Sequence, residues 1–295
     1  MHFVYLCAMI PFSKNIAKGI RALEQRKHRR AEGLFVAEGN KLVEDCLGLR
    51  GGHPDASLRP MACRRLVATQ AWWDAHAAAL GAAPALLADA ECHAVTPDEL
   101  ERASLMQSPQ DVIGVFCIPQ YSLDRDALPH QLTLVLDDVQ DPGNVGTIIR
   151  LCDWFGIRDI IASPATADCF APKVVQATMG AIARVRVHYI NITTLLEKVS
   201  AATGAALPHS AAPILPIYGT YLEGENLYET ELSHTGLIIM GNEGRGISPR
   251  LAPYVTRKLN IPSYPAGIPT GESLNVGIAT AITVAEFRRR QLLQP

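Results

Sequence analysis

The fold of the chain is decided by two stretches near its C-terminus, LIIMGNEGRGIS at residues 237–248 and NIPSYPAGIPTGESLNVGIATAI at residues 260–282. In each, a short β-branched and aliphatic run stands directly before glycines, prolines and small polar residues. This pattern is typical of a buried parallel strand that ends in a tight loop, and open α/β sheets bind ligands at such strand ends. The second stretch continues into a predicted helix with apolar residues at helical spacing. We therefore predict that two glycine-rich loops and a helix start converge, although either loop alone would fit an ordinary strand-to-helix turn.

Length and composition indicate two domains without a general affinity for polyanions. The chain has 295 residues, of which 48% are hydrophobic and 19% charged, enough to bury substantial cores. The formal net charge of -2 argues against general adhesion to nucleic acid. Any site for a polyanion has to come from a local concentration of Lys and Arg.

The cysteines indicate a reducing compartment. There are seven, scattered along the chain, with no C-x-x-C pair and no histidine at informative ligand spacing. We predict that they are reduced and mostly buried, and that the protein is cytoplasmic and holds no metal. The apolar run at residues 3–11 lacks a preceding basic region and is too short to span a bilayer, so neither a signal peptide nor a membrane anchor is predicted.

The segment SKNIAKGIRALEQRKHRR, residues 13–30, is predicted to form one basic amphipathic helix. Seven cations stand against one acid, a local charge of +6 in a chain whose total is -2. Clustered Lys and Arg release counterions from a nucleic acid backbone, so phosphate contact is the functional interpretation, and a solvated helix face is the alternative. The candidate RNA-binding residues are Lys14, Lys18, Arg26, Lys27, Arg29 and Arg30.

Strands and helices alternate over residues 1–118, which predicts a small N-terminal α/β domain. Strands are expected at 33–39, 64–69 and 111–118, and helices at 40–49, 70–80 and 96–105. Of the adjacent Trp72 and Trp73, we expect one to pack in the core, which leaves the other for base stacking. Residues 119–131 are polar and bracketed by prolines, and are predicted to be the domain linker.

Residues 132–295 form the second predicted domain. Strands are expected at 132–139, 159–163 and 184–190, and helices at 145–156, 171–183 and 193–204, before the two stretches quoted above. This βαβα order implies a mostly parallel, doubly wound sheet. A nicotinamide-dependent oxidoreductase would rest on glycine-rich turns alone, because the turn DPGNVG at 141–146 lacks the G-x-G-x-x-G pattern. The sequence also lacks a phosphate-binding loop and a nucleophile elbow.

Three ordered motifs remain in the C-terminal domain. They are N-x-G-x-x-x-R at Asn144, Gly146 and Arg150, G-x-E-x-x-G at Gly241, Glu243 and Gly246, and I-P followed by S-L-N at Ile261, Pro262, Ser273, Leu274 and Asn275. In these motifs the sequence resembles the SpoU (TrmH) branch of the SPOUT superfamily of RNA ribose methyltransferases. The match covers about 132–290, and residues 35–40 with the basic segment resemble the family's N-terminal substrate-binding domain. The loop at 263–272 is longer than usual for the family, which leaves its effect on the cofactor pocket open.

The resemblance implies a deep C-terminal trefoil knot that binds S-adenosyl-L-methionine, and a homodimer rather than a heterodimer, with active sites at the subunit interface. Gly241, Ile261 and Leu274 correspond to family residues that bind the cofactor, and Asn242 and Gly246 complete the predicted cofactor site. The implied reaction is methyl transfer to a ribose 2′-hydroxyl of structured RNA. We favour rRNA over tRNA, because such an added N-terminal domain is common among the family's rRNA enzymes.

The resemblance makes Arg150 the expected catalytic residue, with Asn144, Glu243, Ser273 and Asn275 positioning it, the cofactor and the nucleotide. A guanidinium stays protonated far above neutral pH, so we expect Arg150 to hold a phosphate and stabilise the forming alkoxide rather than act as a free base. The structural alternatives are helix caps for Asn144 and Ser273 and a helix-terminal anion for Glu243. A further alternative is an RNA-binding or ribosome-assembly factor without turnover, against which the intact motif residues speak.

Overall fold

The computed structural model describes residues 9–50, 60–204, 215–265 and 273–293. The chain forms two compact units: Met1–Gln120 with Asp168–Arg184, and Tyr121–Ala167 with Val185–Pro295. The domain boundaries predicted from the sequence stay a prediction. The compact units differ from them mainly in the segment Asp168–Arg184, which lies inside the predicted second domain but packs with the first unit.

The first unit contains a mixed sheet of four strands. These are β1 (Leu34–Glu38), β2 (Cys63–Thr69), β3 (Glu91–Val95) and β4 (Val112–Cys117). Their order is β1-β4-β2-β3, with β2 and β3 parallel and β4 antiparallel to both of its neighbours. We predicted three of these strands. We did not predict the fourth strand, β3, because its sequence ECHAV is short and its glutamate and histidine interrupt the apolar pattern.

The helices of the first unit include two where the sequence predicted one. Within Met1–Gln120 they are α1 (Lys14–Ala22), α2 (Arg26–Glu32), α3 (Asn40–Leu47), α4 (Gln70–Ala82) and α5 (Pro97–Ala103). The prediction of a single basic helix at 13–30 is wrong, because α1 ends at Ala22 and a second helix, α2, begins at Arg26. Arg29 Nη1 donates to the carbonyls of Leu23 and Glu24 over 2.8 and 2.7 Å, and so satisfies backbone groups that the break leaves outside a helix.

Two local predictions in this unit also need correction. Both Trp72 and Trp73 are buried, and Trp72 stacks on His76 with ring centroids 4.1 Å apart, so neither indole is available to a base. Helix α3 is preceded by Gly39 with φ of 96°, and Asn40 is its first residue rather than its cap.

The segment Asp168–Arg184 packs on α3 and β1. It contains α7 (Pro172–Thr178), which is shorter than the helix predicted at 171–183. The helix stops because Met179 and Gly180 both adopt positive φ, 52° and 97°. At one end of the segment Phe170 lies 4.9 Å from Phe35, measured between ring centroids.

The second unit contains a six-stranded sheet that is parallel throughout. Its strands are β5 (Leu132–Leu136), β6 (Asp159–Ala162), β7 (Arg186–Tyr189), β8 (Ile217–Asn226), β9 (Gly236–Met240) and β10 (Arg257–Asn260). The order is β10-β8-β9-β5-β6-β7, which confirms the predicted parallel sheet. We did not predict β8, because only its first three residues are buried and the rest are polar or exposed.

The helices of this unit cover both faces of the sheet. They are α6 (Pro142–Trp154), α8 (Ile192–Gly204) and α9 (Val276–Leu293). Leu195 and Leu196 of α8 pack in one core with Ile217 of β8. The next strand residue, Tyr218, meets Phe287 of α9, so α8 and α9 lie on opposite faces.

The strand order identifies the edge of the sheet at which a ligand is expected to bind. From β5 the chain forms β6 and β7 on one side, then crosses to β8, β9 and β10 on the other. The order therefore reverses between β5 and β9, and the loops after both strands leave the same edge of the sheet. Doubly wound sheets bind ligands at this kind of switch point.

Candidate active site

The loop after β9 is closed by its own backbone. The N–H and C=O groups of Asn242 exchange hydrogen bonds with those of Gly246, each 2.9 Å long, and Gly246 adopts a φ of 66°. The Asn242 side-chain oxygen accepts from two further N–H groups inside the loop. A Cβ added at Gly241 would overlap the backbone of Gly246 and Ile247. The loop itself therefore requires a glycine at 241, before any ligand is considered.

One chain of hydrogen bonds joins the three motifs. Asn144 Nδ2 donates to Glu243 Oε1 over 3.1 Å, and Asn275 Nδ2 donates to Asn144 Oδ1 over 2.9 Å. Because a carboxylate can only accept, Glu243 fixes the orientation of the Asn144 amide, which in turn directs its oxygen to Asn275. We call Asn144, Glu243 and Asn275 the motif triad. The structure thus brings together three of the five predicted catalytic residues.

The surroundings of Glu243 keep it ionised. Its two carboxylate oxygens also accept backbone N–H groups, from Gln140 over 3.4 Å and from Asp141 over 3.3 Å. Partial burial raises the pKa of Glu243, but the hydrogen bonds from Asn144 and from the backbone outweigh it, and the pKa lies below its ordinary value. An ionised carboxylate only accepts hydrogen bonds, so Glu243 can hold the Asn144 amide in one orientation.

The helix caps differ from those considered from the sequence. Asp141 caps α6, because its Oδ1 accepts the Asn144 N–H over 2.8 Å. The capping alternative for Asn144 is therefore wrong, and its side chain is used in the motif triad instead. At α9 the cap is Asn275, whose Oδ1 accepts the N–H groups of Gly277 and Ile278, and not Ser273, which is exposed.

Arg150 lies on an exposed face of α6 and, among the described residues, forms no hydrogen bond to the motif triad. Gly143, Thr147, Arg150 and Trp154 recur at helical spacing and are all exposed, with Trp154 at 84%. Within the described residues the Arg150 guanidinium makes no ion pair. Its donors are consequently open to a ligand or to a partner subunit.

The predicted cofactor residues lie in or beside loops that follow strands or precede helix α9. Ile261 follows β10 and is half-buried, and Leu274 stands 50% exposed directly before the cap of α9. The Asn242 side chain is bonded within its own loop and, through Nδ2, to the Asp138 carbonyl over 2.8 Å. It shapes the loop and has little capacity left for a ligand. Most of the longer loop at 263–272 lies outside the described residues.

The sequence reasoning missed two acids at the end of β5. Asp137 is 1% exposed, and its Oδ2 accepts the Ser248 N–H over 2.7 Å. Asp138 adopts a φ of 60°, which is rare for a residue with a side chain. The sequence contains one signal for these acids: the pair directly follows an apolar strand and precedes the first motif.

A second prediction about the basic segment at 13–30 also needs correction. Arg29 is 2% exposed, and its Nη2 donates to Asp168 Oδ2 over 2.7 Å, in addition to the two carbonyl contacts given above. The prediction that Arg29 contacts RNA is therefore wrong, because a phosphate cannot reach it. The other candidates are exposed: Lys14, Lys18, Arg26, Lys27 and Arg30.

Three further properties concern the described residues alone. They contain no group of three or more His, Cys, Asp or Glu side chains placed to hold a metal ion. None of the helices formed by these residues has the length and hydrophobicity of a membrane span. Their cysteines are buried, apart from the half-buried Cys117, as the sequence predicted.

Comparison with protein families identifies the domain that carries the site. The model of the SpoU rRNA methylase family matches residues 131–285. The chain belongs to this family. A second model, the MRM3-like substrate binding domain, matches residues 14–114.

The chain is similar to known proteins over nearly its whole length. The 23S rRNA (guanosine(2553)-2′-O)-methyltransferase RlmP of Bacillus subtilis is 26% identical over 272 residues, 92% of this chain and 95% of that protein. An AdoMet-bound rRNA methyltransferase from Sinorhizobium meliloti is 30% identical, with a TM-score of 0.75 over 97% of this chain and 98% of that one. A TrmH-family protein from Porphyromonas gingivalis is 38% identical, with a TM-score of 0.74 over 95% of this chain and 100% of that one.

Proposed function

We propose that the protein transfers a methyl group from S-adenosylmethionine to a ribose 2′-hydroxyl of rRNA. The observation that carries this proposal is the motif triad, whose hydrogen bonds join the start of α6, the loop after β9 and the cap of α9 at the switch point of the sheet. Membership of the SpoU family and the activities named for its relatives support the same reaction.

The residues present fit S-adenosylmethionine. Gly246 is exposed and places no side chain beside the loop, and Ile261 and Leu274 offer apolar surface to a nucleoside. Ser248 Oγ is buried with no hydrogen-bond partner among the described residues, which leaves hydrogen-bonding capacity beside the loop. The cofactor supplies a methyl group already activated on a sulfonium.

The protein's part in the reaction is positioning and charge stabilisation. The motif triad holds the loops in one geometry, which converts the encounter of hydroxyl and methyl donor into an oriented approach. Arg150, whose guanidinium stays charged, holds a phosphate of the bound RNA and stabilises the alkoxide as the 2′-hydroxyl loses its proton. Ser273, exposed beside the triad, contacts the nucleotide.

The first unit binds the RNA. Its exposed cations, at Lys14, Lys18, Arg26, Lys27 and Arg30, provide phosphate contacts without sequence preference. The match to the MRM3-like substrate binding domain supports this role. Substrate choice is then divided between these contacts and the loops of the second unit, and rRNA is preferred over tRNA.

The protein acts in the cytoplasm as a homodimer whose C-terminal domain is knotted. Support for the dimer comes from the exposed face of α6 with Trp154, and from Ile278 of α9, which is 55% exposed. Exposed apolar residues of this size are typical of protein interfaces, and Arg150 lies on the same α6 face. Light scattering of the wild type and of Trp154→Lys tests this: a monomeric wild type would contradict it. The return of α9 to pack on α6 is consistent with the trefoil knot.

Three measurements test the proposed reaction. Calorimetric titrations with S-adenosylmethionine and NAD, side by side, should give saturable binding of the first only. Methyl transfer from labelled cofactor should reach rRNA and leave tRNA unlabelled, and a deletion strain should lack one mapped ribose methylation. Binding of S-adenosylmethionine without transfer to any RNA would instead favour an assembly factor, and binding of NAD would favour an oxidoreductase.

A further inference from the structure

The two acids that directly follow β5 have no place in the mechanism above, although each is bonded to the loop after β9. Asp137 is 1% exposed and accepts the Ser248 N–H over 2.7 Å. Arg250 Nη2 lies 3.4 Å from the other oxygen of this carboxylate. The end of the loop is thereby attached to the central strand of the sheet.

Asp138 holds the beginning of the same loop through its backbone. Its carbonyl accepts Asn242 Nδ2 over 2.8 Å, and this direction of the carbonyl depends on a φ of 60°. The left-handed conformation is unfavourable for most residues with a Cβ, although aspartate tolerates it better than aliphatic residues. A strained conformation persists only where its surroundings enforce it, and such residues cluster at functional sites.

Ser163, at the end of β6, enforces the conformation of Asp138. Its Oγ accepts the Asp138 N–H over 3.0 Å and donates to Asp138 Oδ1 over 2.6 Å. Ser163 Oγ also lies 3.0 Å from the Thr166 hydroxyl, which donates to the Leu136 carbonyl. These hydrogen bonds fix the turn after β5 to the end of β6. The Asp138 carbonyl is directed at the loop after β9.

We propose that Asp137 and Asp138 are positioning residues that set the affinity for the methyl donor. They hold Asn242 and Ser248, the two ends of the loop that contains Glu243 and Gly246, and so keep the loop in its closed shape. This inference rests on the proposed function of that loop as the cofactor site. It predicts a rise in the Kd and KM for S-adenosylmethionine with kcat at saturating cofactor little changed.

A substitution series at Asp138 separates backbone from side chain. Asp138→Gly keeps the left-handed conformation without a side chain, Asp138→Asn keeps both a tolerant backbone and an acceptor, and Asp138→Val disfavours the conformation. We expect the Kd for S-adenosylmethionine, measured by calorimetry, to be about tenfold higher for the valine variant than for the glycine variant. Equal affinity of all three variants would overturn the role of Asp138, and so would an equal loss in the glycine and valine variants.

Substitutions at Asp137 test the other end of the loop. Asp137→Asn keeps an oxygen for the Ser248 N–H, whereas Asp137→Ala leaves that buried donor without an acceptor. We expect the alanine variant to bind S-adenosylmethionine about tenfold more weakly than the asparagine variant, with kcat within about twofold. Asp126→Ala, an exposed acid of the same unit, is the matched control. Unchanged affinity in the alanine variant would overturn the proposal, whereas a wild type that does not bind S-adenosylmethionine would overturn the proposed function itself.

Thermal unfolding of every variant identifies loss of fold. A variant whose melting temperature falls but whose Kd for S-adenosylmethionine is unchanged counts against the inference, because a structural role alone would then explain the contacts. A raised Kd in a variant that melts within a few degrees of the wild type supports it.

Discussion

In the motif triad, polar side chains from three separate segments bond to one another, whereas in the basic segment at 13–30 all but one of the candidate RNA contacts are exposed. The triad is pre-organised: its geometry exists before any ligand arrives, and each member depends on the others. The exposed cations form no such network, although Arg26 lies 3.9 Å from Asp168, and salt screens them. Changes around the triad should therefore have steep effects, and changes to the cations gradual, additive ones.

The largest expected effect is at Gly241. Gly241→Val places side-chain atoms where the backbone of Gly246 and Ile247 lies, so the loop has to open and binding of S-adenosylmethionine should be lost. The matched control is Gly244→Ala in the same loop, where an added Cβ has only an ordinary contact, 3.8 Å from Asn242 Oδ1. Calorimetry should show no saturable binding for the first variant and near-normal binding for the second. Equal affinity in both would mean that the closed loop is not what the cofactor requires.

Arg150 should show the next largest effect. Arg150→Ala should lower kcat for methyl transfer by about 10²–10³, the usual cost of removing one donor that stabilises developing charge. The affinity for S-adenosylmethionine should be retained, because the partner of the guanidinium is the RNA or the alkoxide. Arg150→Lys should recover little, since an ammonium cannot reproduce the planar fork. Near-normal turnover of the lysine variant would show that a point charge is enough.

The parts of the fold that were predictable from the sequence are those with local signals. The apolar runs of β5, β6 and β9 predicted a parallel sheet, and glycine-rich loops at the ends of strands predicted the edge that carries the motifs. The motif residues could be found because they lie at fixed spacing within short segments. Strand β8 could not be found, since its outer half is polar and exposed and it has no period that distinguishes it from a loop.

The rest of the site depends on contacts between distant parts of the chain. Asn144 looked like a helix cap from its position, but Asp141 takes that role and Glu243, 99 residues away, accepts from the Asn144 amide. Arg29 looked like one cation in a charged run, but its acid, Asp168, lies 139 residues further along. The charge pattern of a segment does not show which distant residue a cation pairs with. That Arg29 is buried while its neighbours are exposed can therefore be seen only in the folded chain.

The third prediction follows from that burial. Arg29→Met leaves Asp168 without its closest cation and the carbonyls of Leu23 and Glu24 without a donor, so the free energy of unfolding should fall by about 3 kcal/mol. Lys27→Met, an exposed neighbour, should change it by less than about 0.5 kcal/mol. Urea denaturation measures both variants. A loss no larger for Arg29 than for Lys27 would show that the buried ion pair and its carbonyl contacts do not stabilise the fold.

The smallest effect per residue is expected at the exposed cations, where the measurement has to be a salt dependence. Neutralising Arg26, Lys27 and Arg30 to glutamine, with Arg29 left in place, should flatten the log–log dependence of RNA affinity on salt by roughly one unit for each phosphate that is no longer bound. RNAs of different sequence should be weakened alike, because phosphate contacts do not read bases.

The cofactor loops belong to the other compact unit, so the triple variant should bind S-adenosylmethionine normally and lose methyl transfer mainly at low RNA concentration. Leaving Arg29 unchanged matters here, since its removal would mix a loss of stability with weaker RNA binding. An unaltered salt slope would mean that these cations form a solvated face only. The RNA surface would then have to be sought at Arg245, because Arg184 and Arg186 are paired with Asp45 and Asp159 at 3.3 and 2.7 Å, whereas Arg245 is exposed in the loop that carries Glu243.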